Sequence, residues 1–136
     1  RKRHPNTPLL VFPRGATYSL ADLQQAGFDI VTMDTQTPRA ATREALHKAA
    51  QGSTPPNMAK QEAGLQGNFD VKLLEKGKYT PEQVEGAVKD MLDELGAAGL
   101  IANLGEGLTG KEDPALVNAF VEAVHSHSES MLAANK

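Results

Sequence analysis

Apolar residues in this chain fall into short runs bounded by turn residues, and these runs alternate with segments whose apolar positions recur every three to four residues. That alternation predicts βα units built around a parallel sheet. Four units can be counted. The first pairs a strand at Pro8 to Phe12 with a helix at Leu20 to Ala26, capped by Ser19 and stopped by Gly27. The second has a strand at Phe28 to Met33, then Thr37 as N-cap and Pro38 at the first position of a helix to about Lys48. Periodicity stops in "AAQGSTPPN", where Pro55-Pro56 forbids a helix, so Ala49 to Glu62 is expected to be a long surface loop. A strand at Ala63 to Gly67 opens the third unit. Its helix is marked by the capping box of Thr80 and Gln83, by Pro81 between them, and by Val84, Val88, Met91, Leu92 and Leu95 on one face. Gly96 and Gly99 end that helix, and Gly99 to Leu104 is the fourth strand. Asp113-Pro114 starts a last helix whose stripe is Leu116, Val117, Phe120, Val121 and Val124, and which frays near Leu132.

In parallel α/β architectures the loops that follow the strands share one edge of the sheet, and ligands bind there. Chain position therefore selects the candidates. They are Arg14-Gly15 after the first strand, Asp34 after the second, Gln66, Gly67, Asn68 and Asp70 after the third, and Asn103, Gly105, Glu106 and Gly107 after the fourth. All are expected at one mouth.

Composition narrows the function classes. The 136 residues are 40% hydrophobic and 23% charged, ordinary for one globular domain. Net charge is −3 with both signs interspersed, so the basic footprint of a nucleic-acid binder is missing. The basic run Arg1-Lys2-Arg3-His4 is read as part of a solvated tail over residues 1–7. With no cysteine, disulfides, thiolate zinc sites and a cysteine nucleophile are excluded. No apolar run approaches the roughly 18 residues needed to span a bilayer. The chain starts without Met and reaches strand-like sequence by Pro8, from which it is expected to be part of something longer.

"GEGLTGK", Gly105 to Lys111, fits both a glycine-rich dinucleotide pattern and the first seven positions of a P-loop. Its context does not. Glu112 stands where a P-loop needs Ser or Thr, and the helix opens later, at Asp113-Pro114. His125 and His127 are two apart on a helix and point to different sides, and His4 and His47 have no partners at ligand spacing, so no metal site is expected. Asp29 is taken as the entry turn of its strand. Asp34, Asp70 and Glu106 are candidates for acid and base roles, and are equally explained as helix caps and solvated turns.

The blocks "LLVFPRG", "AGFDIVTMD", "LQGNFD" and "GLIANLGEG", followed by "VNAFVEAVHSHS", resemble the C-terminal half of the uroporphyrinogen decarboxylase family from Pro8 to about Ser128. The resemblance implies that the four units are the second half of a TIM-type (β/α)8 barrel, a fold that needs about 250 residues. It further implies a cofactor-free decarboxylase of heme and porphyrin biosynthesis that converts the acetate arms of uroporphyrinogen to methyls, and commonly a homodimer. The family's catalytic aspartate and carboxylate-gripping arginines lie in its N-terminal half and are not in this sequence. Where the family has a substrate-contacting histidine between two glycines, this chain has Glu106. An ionised glutamate offers only acceptors and like charge to a substrate carrying eight carboxylates.

Thr35 replaces a family tryptophan, Val71 a proline, and the loop at Ala49 to Glu62 is longer than usual. Asp34, Gln66, Gly67, Asn68, Asp70, Asn103, Gly105 and Gly107 are retained, and Arg14 keeps a cation where the family tends to have lysine. Zinc-binding methyltransferase branches of the superfamily need cysteines, which are absent. The expectation is a half-barrel, inactive alone, whose sheet is completed by a missing N-terminal half or another chain. The alternatives are a degenerate non-catalytic homologue serving as a structural or assembly subunit, and a stand-alone domain that binds a nucleotide at "GEGLTGK". Cytosol and organelle are left open.

Overall fold

The computed structural model describes residues 3–51 and 62–134. Its strands and helices alternate: β1 (Leu10–Val11), α1 (Leu20–Ala26), β2 (Ile30–Thr32), α2 (Arg39–Gln51), β3 (Gly64–Phe69), α3 (Pro81–Leu95), β4 (Leu100–Leu104) and α4 (Pro114–Ala134). The strands form one sheet in the order β1-β2-β3-β4, and every neighbouring pair is parallel. This is the α/β arrangement of part of a TIM-type barrel.

One face of the sheet carries the core. Val31, Met33, Leu65 and Phe69 pack with Leu20 of α1, Leu46 of α2, Val84, Val88, Met91, Leu92 and Leu95 of α3, and Leu116, Phe120 and Ala123 of α4. A single core drawing on all four helices puts the helices on the same side of the sheet, as crossovers of one hand require. Strand alternation then sends Leu10, Ile30, Thr32, Gln66 and Ile101 to the other face. That face is open at its outer strands, where Leu10 and Ile101 are each 46% exposed and Phe12, two residues beyond Leu10, is 44% exposed, whereas Thr32 of β2 on the same face is buried.

Several local signals act as expected. Gly27 closes α1 in the left-handed conformation at φ 108°. Thr80 and Gln83 form the reciprocal capping box of α3 with Pro81 in the first turn. Asp113 heads α4, its carboxylate accepting the Ala115 N–H at 2.9 Å.

Other expectations are corrected. The first two strands are shorter than their apolar runs, since only Leu10–Val11 and Ile30–Thr32 are paired. Ser19 does not cap α1: a 3-10 turn over Thr17–Ser19 leads into the helix, and the Ser19 hydroxyl donates to the Ala16 carbonyl instead. Helix α2 runs on to Gln51 because Ala49 and Ala50 are strong helix formers, which shortens the expected loop; residues 52–61 lie outside the described residues. Strand β3 runs on to Phe69 rather than stopping at Gly67. There the glycine admits a neighbour, since a Cβ on Gly67 would lie 2.8 Å from the Met33 carbonyl oxygen. Val121 is 41% exposed, because the buried line of α4 follows Leu116, Phe120 and Ala123 at i, i+4 and i+7. The helix continues past Leu132 to Ala134.

Candidate functional site

The parallel sheet delivers the four loops to one rim, as expected, and three of the four are tied together by buried polar groups. Asp34, just past β2 and 7% exposed, accepts the Gly15 N–H at 3.0 Å, the Gln36 N–H at 3.1 Å and the Thr37 hydroxyl at 2.8 Å. The Gly15 N–H contributes most to holding its carboxyl below the ordinary range; burial opposes this, and the Thr37 hydroxyl and the Gln36 and Thr37 N–H groups reinforce it. Asp34 thus joins the loop after β1 to the loop after β2, and every donor it faces is structural. Of the two readings left open for Asp34, this geometry is that of a turn clasp.

Asn68 extends the tie to β3. Almost fully buried, it donates through Nδ2 to the Asp34 and Thr37 carbonyls at 2.8 and 3.0 Å, and its Oδ1 accepts from Arg39 Nε at 2.9 Å. Arg39 in turn reaches Glu94 of α3 at 3.1 Å. Gln66, Gly67 and Asn68 therefore lie within β3 rather than in a loop after it, with Gln66 on the open face. Asp70 caps a 3-10 turn at Val71–Leu74, accepting the Lys72 N–H at 3.0 Å.

The fourth loop meets the second at Gly105, where a Cβ would sit 2.5 Å from both Thr35 N and Thr35 Oγ1. It meets the first through an ion pair, Arg14 Nη2 to Glu106 Oε2 at 2.5 Å. That pair links the loops of the two outermost strands across the rim. Asn103 stands opposite Asn68 in register, exposed, with its side-chain oxygen accepting the Leu104 N–H. At Gly107 a Cβ would meet nothing within 4 Å, so that glycine serves no close approach.

"GEGLTGK" does contain an anion cradle, and the chain fills it. The Glu112 carboxylate accepts the Thr109 N–H at 3.1 Å, the Thr109 hydroxyl at 2.8 Å and the Gly110 N–H at 2.9 Å. Burial alone would raise its pKa, but these donors outweigh burial and hold the group at about 2. Among the described residues no group of His, Asp or Glu could hold a metal ion, and no helix is long and apolar enough to cross a membrane. A cavity of about 1400 Å³ opens at the other end of the sheet, where Leu9, Asp29, Gly64 and Gly99 mark the strand starts. Its size does not make it the site, since none of the candidate residues lines it.

The residues that sequence reasoning missed here are Thr35, Arg39 and Glu112. Only Glu112 left a readable signal, the T-x-x-E spacing of Thr109 and Glu112, which is that of a capping box.

The family model described as uroporphyrinogen decarboxylase (URO-D) matches residues 1–127. The chain belongs to the uroporphyrinogen decarboxylase family. It is 38% identical over 128 residues to the uroporphyrinogen decarboxylase of Danio rerio, covering 93% of this chain and 30% of that protein. To the Homo sapiens protein it is 36% identical over 121 residues, 89% of this chain and 29% of the relative. The Salinibacter ruber protein is 33% identical over 129 residues, 94% of this chain and 32% of the relative. The chain thus spans about a third of the length of the uroporphyrinogen decarboxylases it matches.

Proposed function

We propose that this chain is half of a uroporphyrinogen decarboxylase-type barrel, and that together with a complementary half it takes a tetrapyrrole polycarboxylate at the rim that carries Arg14, Asn103 and Glu106. The observation that carries the reading is the open sheet face. Leu10, Phe12 and Ile101 expose apolar side chains there, and among the described residues β1 and β4 are the edges of the sheet, each with one side that no other strand pairs. A further set of βα units would cover that face and pair both edges. The order of the sequence blocks supports placing these four units last in the barrel, and the relatives' greater length supports further units beyond these four.

The test is decarboxylation of uroporphyrinogen by this chain alone and after co-expression with the complementary units of a relative. Turnover only in the combined sample is expected. Turnover by the chain alone would overturn the reading.

Glu106 favours a second reading, a non-catalytic assembly subunit, because it places a negative charge in a mouth meant for carboxylates. A combined sample that forms a stable complex yet leaves the substrate unchanged would select it.

A further inference from the structure

Arg14 and Glu106 sit on loops that are fixed from below by different contacts. The Gly15 N–H is held by Asp34, and Gly105 is wedged against Thr35. Their side chains are thus brought together by the scaffold. Yet the Arg14 side chain is 68% exposed and Glu106 31% exposed, so the cation remains open to solvent while one of its faces is taken by a carboxylate of its own chain. The other acids of the rim are committed elsewhere: Asp34 to three donors of the loops after β1 and β2, and Asp70 to the Lys72 N–H.

We propose that Arg14 is a carboxylate-binding cation whose resident occupant is Glu106, and that an incoming polycarboxylate binds the rim by displacing Glu106 from it. The exchange is feasible because exposed ion pairs are weak, so a ligand with several carboxylates can outcompete the internal one. A guanidinium–carboxylate contact to the ligand replaces the one lost. Glu106 then sets the threshold for binding, and neutralising it lowers that threshold. That the physiological ligand is a tetrapyrrole rests on the proposed function; the exchange itself does not.

The experiment titrates the full-length protein carrying this sequence, with whatever completes its sheet, using benzenehexacarboxylate and, separately, uroporphyrin. Wild type is compared with Glu106→Gln, Arg14→Gln and the double variant, each checked for unchanged circular dichroism. Glu106→Gln is expected to tighten binding of both probes about three- to fivefold at low salt, the factor corresponding to a lost surface ion pair. Arg14→Gln is expected to weaken binding, and the double variant to behave as Arg14→Gln. The gain should shrink as salt is raised. A Glu106→Gln variant that binds benzenehexacarboxylate no better than wild type, or no binding by any variant, overturns the proposal. If that probe follows the expected pattern and uroporphyrin does not bind, the exchange stands and the tetrapyrrole reading fails. Glu106→Asp provides a control with the charge kept, and it should stay close to wild type.

Discussion

Asn68 places both amide hydrogens on backbone oxygens of the preceding unit, those of Asp34 at 2.8 Å and Thr37 at 3.0 Å, from a position that is 2% exposed. One buried side chain therefore fixes the height of the second loop against the third strand. Replacing Asn68 with Ala leaves two carbonyls without their donor and Arg39 Nε without its acceptor. A loss of about 2–3 kcal/mol is expected, since buried groups left unpaired cost more than a made bond contributes. Urea unfolding of wild type and Asn68→Ala measures it, and a loss below about 0.5 kcal/mol would contradict the account.

The two glycines that flank Glu106 should differ sharply. A methyl on Gly105 would meet Thr35 N and Oγ1 at 2.5 Å and Thr35 Cα at 2.7 Å, so backbone has to move. Gly105→Ala is expected to destabilise by about 1–3 kcal/mol, in the range of overpacked sites. Gly107→Ala meets nothing within 4 Å and is expected to stay within about 0.5 kcal/mol of wild type. Equal effects at the two positions would refute this reading of the loop.

Thr32 points to the open face, is 4% exposed, and its hydroxyl has no hydrogen-bond partner. Valine keeps the branched shape and removes the orphaned group. Thr32→Val is expected to stabilise by about 1 kcal/mol, or roughly 3–5 °C in Tm for a chain of this size. Differential scanning calorimetry decides it, and a lower Tm would show that the hydroxyl has a role.

Acid should weaken the rim in a defined order. Asp34 and Glu112 both have carboxyls held below their ordinary values, Glu112 at about 2. A depressed folded-state pKa means the stabilising contribution is complete above the unfolded-state value and is lost as pH falls through the folded one. Wild-type Tm should therefore decline from about pH 4.5 down to about pH 2. Glu112→Gln and Asp34→Asn should each begin lower at neutral pH and decline less over that window. Curves parallel to wild type would remove both groups from the explanation.

Phosphate has no open place at "GEGLTGK", because Glu112 already accepts from Thr109 and Gly110. Millimolar ATP or inorganic phosphate is expected to leave Tm unchanged, since a ligand that does not bind the folded state cannot stabilise it. A rise in Tm that Glu112→Gln enlarges would reinstate the nucleotide reading.

What could be read from residues alone was set by local chemistry. The capping box at Thr80 and Gln83 and the left-handed turn at Gly27 act within a few residues, so their sequence signals survive folding. The order of four βα units was legible for the same reason, as was the shared rim that follows once parallel strands are assumed. Contacts between units were not legible. Gly67 read as a strand end, but the approach of Met33 makes it a strand interior. One local signal also misled: Ser19 read as a cap, but the 3-10 turn just before the helix engages its hydroxyl.

The sequence by itself determined the alternation of elements, the family resemblance and the candidate residues, because each depends on period, spacing or residue type along the chain. Only the tertiary structure decided how those residues are used. It closed Asp34 inside a clasp with the loop after β1 and paired Glu106 with Arg14. Those outcomes depend on distances between loops that lie far apart in the chain, and such distances exist only once the parallel sheet has fixed where each strand ends.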